Sequence, residues 1–86
     1  HDPDISVEKE FALIKVSLEK ENRVEVLNLI QHFQATAVDF SESTLVFHIV
    51  GDSEKINVCV SMLEPFGILE MVRSGKMVIT KGKETT

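Results

Sequence analysis

The chain has 86 residues and carries 9 Lys and Arg against 14 Asp and Glu, so its formal charge is −5. This sign opposes binding to a phosphate backbone, and no local basic cluster offsets it, which argues against nucleic acid as a partner. Its apolar runs are far shorter than the roughly 18 to 20 residues that cross a bilayer, and the N-terminus lacks a signal pattern, so no membrane partner is expected.

The length suits one folded domain. We expect residues 1–7 to be a linker or the edge of a fragment, residues 8–82 to form the domain, and residues 83–86 to be a polar tail. Because the chain begins at His1 without an initiator methionine, it is expected to be a piece of a longer protein.

The first predicted elements are a strand over residues 11–18 and a helix over residues 22–34. The strand is apolar on both faces, since Phe11 and Leu13 alternate with a second apolar set. Asn22 is a candidate N-cap for the helix. Apolar residues then recur at helical spacing, namely Val26, Leu29, Ile30 and Phe33.

A hairpin and a second helix follow. The strands are predicted over residues 36–40 and 44–50, with a serine-rich turn between them. Asp52 or Ser53 is expected to cap the second helix, which ends near Pro65. Its apolar stripe is Ile56, Cys59, Val60 and Leu63.

The last third of the chain predicts a strand over residues 68–73 and a turn at Ser74-Gly75. A further short apolar run over residues 77–80 is either a fifth strand or an extension of the fourth.

The order strand, helix, strand, strand, helix, strand predicts an α+β fold of the ferredoxin-like βαββαβ type, similar to ACT domains, with both helices on one face of an antiparallel sheet. The other face then keeps Phe11 and Leu13 uncovered, together with either Leu45, Phe47 and Ile49 or the alternate set of that strand. The candidate dimer or partner surface comprises Phe11, Leu13, Val46, His48, Val50 and Arg73.

No nucleophile and base, phosphate loop or metal motif is recognisable in the sequence. Cys59 is expected to be a core residue, and His48 to lie satisfied at an interface. Arg73 ends an apolar strand, where it could bind a carboxylate of a neighbouring subunit or cap backbone carbonyls; a structural role is favoured. The chain is therefore not expected to be an enzyme.

Several segments in order resemble the C-terminal domain of the small, regulatory subunit of acetolactate (acetohydroxyacid) synthase. These segments are residues 10–16 (EFALIKV), Asn22-Arg23, Val38-Asp39, Gly51-Asp52, residues 65–70 (PFGILE) and Arg73-Ser74-Gly75. The family usually has Arg-Thr-Gly where this chain has Arg73-Ser74-Gly75, and Arg-Gly where this chain has Lys81-Gly82. Both departures are conservative.

The resemblance implies a dimeric regulatory subunit that activates a catalytic large subunit and conveys feedback by branched-chain amino acids. Thiamine diphosphate, Mg²⁺ and FAD would then be bound by the catalytic subunit, not by this chain. Valine would bind an N-terminal ACT domain that does not precede residue 8 here. The expected location is cytoplasmic if the source is bacterial, and a plastid or mitochondrion if it is eukaryotic.

One alternative from another class is a free-standing ACT-like amino-acid sensor, in which His48 or Arg73 contacts the ligand's carboxylate. A small enzyme on the same scaffold is a further alternative, but it needs a nucleophile and a base that the spacing does not provide.

Overall fold

The computed structural model describes residues 6–80, and the side chains of residues 9–75. Residues 1–5 and 81–86, which hold most of the predicted linker and tail, lie outside the described residues. The elements follow the predicted order, except that the first strand begins earlier and includes residues 6 and 7. They are β1 (Ser6–Ser17), α1 (Arg23–His32), β2 (Thr36–Phe40), β3 (Thr44–Gly51), α2 (Ser53–Leu63), a 3₁₀ turn (Glu64–Phe66) and β4 (Ile68–Thr80).

Within residues 6–80 the strands form an antiparallel sheet in the order β2-β3-β1-β4. The first strand is central, so Leu13 pairs with His48 on β3 and with Val72 on β4. Both helices contribute to the core on one side of the sheet. The predicted ferredoxin-like fold is confirmed.

The core lies between the helices and one face of the sheet. Both predicted helical stripes contribute to it, although Leu29 and Val60 are only partly buried. Alternation along β3 resolves the choice that the sequence left open, because one set is buried and Val46, His48 and Val50 point to the other side. The buried apolar residues of the sheet are Ala12, Ile14, Val16, Leu45, Phe47 and Ile49.

The two predicted N-caps behave differently. The Asp52 carboxylate accepts a hydrogen bond of 2.8 Å from the backbone N–H of Lys55, which satisfies one of the free amides at the start of α2. Asn22 occupies the equivalent position before α1, but its backbone is already near-helical and its side chain makes no capping bond. The Asp52 cap is confirmed, and Asn22 holds the position without the bond.

The predicted turn at Ser74-Gly75 is wrong, and so is the alternative of a separate fifth strand. Residues 68–80 form one strand that contains a β-bulge, because two residues of β4 oppose the single residue Phe11 of β1. Gly75 has φ +79°, a backbone conformation that glycine adopts without strain and that this bulge uses. In the sequence, the Ser74-Gly75 pair looks the same whether it forms a turn or a bulge. The Ser74 hydroxyl accepts a hydrogen bond of 3.0 Å from the Phe11 N–H within the bulge.

Pairing between β1 and β4 continues beyond the end of β3. The last β1–β3 pair is Glu10 with Gly51, whereas β1 and β4 stay paired out to Ser6 with Thr80. This two-stranded extension is called the ribbon below. Neither helix in the described part of the chain is long and apolar enough to cross a membrane.

Candidate functional site

The face of the sheet opposite the helices is the candidate site, and we call it the open face. Side chains alternate along each strand, and paired residues of adjacent strands point to the same side, so the register defines its members. It carries five of the six residues proposed from sequence, together with three that were not proposed. The open face consists of Phe11, Leu13, Lys15, Val46, His48, Val50, Glu70 and Val72.

An aromatic contact lies within the open face. The rings of Phe11 and His48 are stacked, with centroids 5.5 Å apart and planes inclined by 29°. Both rings are half-buried although no helix covers them. His48, which was predicted to lie at an interface, therefore lies on an uncovered apolar surface. A partner bound to that surface would bury the ring further.

A shallow depression of about 170 Å³ lies beside this contact, lined chiefly by the open face together with Met71. Lys15 and Glu70 are directly paired in the register, with Nζ and Oε2 4.0 Å apart. Sequence reasoning missed Glu70 and Val72 because the extra residue Leu69 shifts the register of β4 and interrupts its alternation. The signal that could have identified them is the matching spacing of Glu70-x-Val72 and Leu13-x-Lys15, which pairs one charge with the other and one apolar residue with the other in an antiparallel register.

Arg73 does not belong to the open face, which corrects its place in the predicted surface. It pairs with Ala12, so its side chain points to the helix side of the sheet. Its Nε and Nη2 donate to the two carboxylate oxygens of Glu10 at 2.7 and 2.8 Å. Its Nη1 donates to Asn57 Oδ1 of α2 at 2.8 Å. The bulge after Arg73 changes the register, and the sequence pattern does not display that change.

The carboxylate of Glu10 is buried by this arrangement, with 4% of the residue exposed. The hydrogen bonds from Arg73 lower the pKa of Glu10 from 4.5 to about 2, although burial acts in the opposite direction. The same hydrogen bonds raise the pKa of Arg73. A charged, bidentate pair therefore ties β1 to β4 and α2, and its chemistry is structural.

The side chains that the structure describes do not combine into a reactive centre. Among them, no three His, Cys, Asp or Glu residues lie close enough to hold a metal ion. Cys59 is fully buried, and burial raises the pKa of its thiol to about 11, which disfavours the nucleophilic thiolate. What the open face can do is bury apolar surface against another molecule.

Comparison with known proteins gives the same family as the sequence motifs. The family model described as "Small subunit of acetolactate synthase" matches residues 9–82. The acetolactate synthase small subunit of Bacillus subtilis is 36% identical over 78 residues, which are 91% of this chain and 45% of that protein. The corresponding subunit of Aquifex aeolicus is 42% identical over 76 residues, or 87% of this chain and 40% of that protein.

A solved structure matches the same family. The crystal structure of the acetolactate synthase small subunit from Thermotoga maritima matches with a TM-score of 0.82 and 26% identity, covering 92% of this chain and 48% of that chain. This chain therefore spans about half of the length of the relatives it matches.

Proposed function

The chain belongs to the family of acetolactate synthase small subunits, and we propose that it acts there as a regulatory domain that supports dimerisation and conveys activation and feedback to the catalytic subunit. Membership across residues 9–82 carries the proposal. The small subunit is the non-catalytic partner in acetolactate synthase, an enzyme of branched-chain amino acid biosynthesis. On this proposal the thiamine-diphosphate-dependent large subunit also holds Mg²⁺ and FAD.

The open face supports the proposal physically. A sheet covered by helices on one side only must leave its other side to water or to a partner, and here that side is largely apolar. Val50 and Val72 are exposed on it, and Phe11 and His48 are only half-covered. A regulatory domain without its own reaction acts through such surfaces, because it changes another chain only by contact with it.

The test is acetolactate formation by the cognate catalytic subunit, with and without valine. The full small subunit that carries this chain is compared with one truncated just before Glu8. We expect the truncation to weaken activation, the valine response, or both. Unchanged activation and an unchanged valine response would reject the regulatory role of this domain.

The alternative of a free-standing amino-acid sensor relied on Arg73 or His48 as the carboxylate contact. In the structure, Nε, Nη1 and Nη2 of Arg73 all donate to Glu10 or Asn57, which leaves this guanidinium poorly placed to bind a ligand. His48 stacks on Phe11 within the open face. Calorimetric titration of the isolated chain with branched-chain amino acids separates the two functions, since the regulatory proposal expects no binding heat at millimolar valine.

A further inference from the structure

The ribbon leaves a vacant position beside β1. β3 ends at Gly51, where the chain turns and Asp52 caps α2. Residues 6–9 of β1 therefore have β4 on one side and, among the residues that the structure describes, no strand on the other. We call this vacant position the lane. A two-stranded ribbon alone is at best marginally stable in water, so a third strand in the lane would stabilise it.

The direction of the β1 amides shows which backbone groups face the lane. The N–H of Ser17 donates toward β4, at 2.8 Å from the carbonyl that precedes that strand, and the N–H of Leu18 donates toward β3 at the same distance from its preceding carbonyl. Bonding directions alternate along a strand, and the Phe11 N–H, which donates to β4, fits this alternation. Ser6 and Glu8 therefore present their N–H and C=O groups to the lane.

The lane is also the most regular free edge of the described sheet. The extra residues behind both register shifts between β1 and β4 belong to β4, so β1 itself is uninterrupted. The outer edge of β4 is broken at Leu69 and at Ser74-Gly75, and β2 has its own register shift at Val38. Such interruptions protect an edge from strand addition, whereas a regular edge can accept an added strand.

The rest of the subunit is held close to the lane. The matched part of this chain spans 45% of the Bacillus subtilis relative and 40% of the Aquifex aeolicus relative, so a subunit of that length has at least as much chain again. Ser6 and Thr80 are paired, so both ends of the described chain lie at the tip of the ribbon. The five residues before Ser6 and the six after Thr80 reach at most roughly 20 Å. Whichever end carries it, the other half is tethered beside the lane at an effective concentration of about millimolar.

A strand in the lane would be connected to the body of the domain through Glu10. This residue is the last of β1 to pair with β3, so it lies at the inner end of the lane. Its carboxylate accepts two hydrogen bonds from Arg73, which also donates to Asn57 of α2. A displacement of the ribbon therefore moves groups that are bonded to α2.

We propose that a strand from the half of the small subunit outside this chain binds in the lane and pairs with Ser6 and Glu8 of β1. The inference rests on the proposed function, because it names the contact through which the valine-binding half of the subunit reaches this domain. The ribbon is then the element that carries a change in that half to the sheet and to α2.

The test measures amide hydrogen exchange at single residues in the full small subunit that carries this chain. Glu8 and Val78 are paired in the ribbon, and their amides point to opposite sides, that of Glu8 to the lane and that of Val78 to the outer edge of β4. We expect the Glu8 amide to exchange at least about a hundredfold more slowly than in an unstructured chain. Rapid exchange at Glu8 would show that the lane is open and would overturn the proposal.

Matched proline variants identify the occupant. Glu8→Pro removes the N–H that faces the lane, and Val78→Pro removes one at the same level that faces the other way, so neither removes a bond of the β1–β4 ladder. In Glu8→Pro, amides of one short segment in the other half should exchange at least about tenfold faster, and in Val78→Pro they should not. Glu8→Ala keeps the amide and should resemble the parent. Circular dichroism checks that all three variants fold.

Equal effects of the two prolines, or changes confined to residues 1–86, would overturn the proposal. Dilution tests a second copy as the occupant, since protection of Glu8 that falls on dilution would place a strand of another copy in the lane and overturn the arrangement within one subunit. None of these measurements involves the catalytic subunit. Loss of the valine response on truncation together with rapid exchange at Glu8 would keep the regulatory role and reject the strand in the lane.

Discussion

Arg73 and Glu10 are 63 positions apart in sequence, yet the guanidinium of one forms two hydrogen bonds, of 2.7 and 2.8 Å, with the carboxylate of the other. Asn57 of α2 accepts a third hydrogen bond, from Nη1 of the arginine. The pair crosses the bulge at Ser74-Gly75, because Arg73 is paired with Ala12 on one side of it and Glu10 with Lys76 on the other. It therefore fixes the point at which the ribbon leaves the four-stranded part of the sheet.

Arg73→Met should destabilise the chain because it leaves a buried carboxylate without its cation. We expect the Tm to fall by roughly 5 to 10 °C. Arg23→Met is the control, since Arg23 bonds an exposed carbonyl and lies over the ring of Phe40. Thermal unfolding followed by circular dichroism measures the Tm of both variants. Equal falls in Tm would show that the Arg73–Glu10 pair stabilises the fold no more than an exposed arginine does.

Stability should depend on acid through Glu10. Its pKa is lowered from 4.5 to about 2 by the hydrogen bonds from Arg73. A lowered pKa in the folded state means that the stabilisation is complete above the unfolded value and is lost as the pH falls toward the folded one. Urea titrations should show the free energy of unfolding declining between pH 4.5 and about 2. In Glu10→Gln the decline should be smaller, and an identical decline would contradict the assignment.

The helix caps predict unequal effects for two similar substitutions. Asp52→Ala removes the bond to the Lys55 N–H and should cost about 1 kcal/mol in the free energy of unfolding. Asn22→Ala removes no capping bond and should cost clearly less. Chemical denaturation of both variants provides the comparison. Equal costs would mean that Asn22 caps α1 in solution.

The hydroxyl in the bulge provides a further test. Ser74→Ala removes the acceptor of the Phe11 N–H and should destabilise by about 0.5 to 1.5 kcal/mol, with faster hydrogen exchange at that amide. Ser74→Thr keeps a hydroxyl and suits a strand, so it should preserve both. If hydrogen exchange at the Phe11 amide were unchanged in the alanine variant, the Ser74 hydroxyl would not be its hydrogen-bond acceptor in solution.

Much of the fold follows from local patterns, and the parts that do not follow depend on register. Apolar spacing identified both helices, and alternation identified the two faces of β1. In β3 both alternating sets are apolar, so the inner one was decided only by pairing, which places His48 beside Leu13. Arg73 was assigned to the wrong side because a bulge adds a residue without leaving a distinct signal. Its partner Glu10 has a charged side chain, a type that is rarely buried unless it is paired.

The most direct test of the account compares two valines of similar exposure on opposite sides of the molecule. Val72 on the open face is 63% exposed and Val24 at the start of α1 is 69% exposed, so aspartate at either position should leave the fold intact. Each substitution is made in the small subunit that carries this chain, and acetolactate formation with its catalytic subunit is measured with and without valine. We expect Val72→Asp to reduce activation or the valine response several-fold and Val24→Asp to reduce neither. Equal behaviour of the two variants would contradict the claim that this domain acts through its open face.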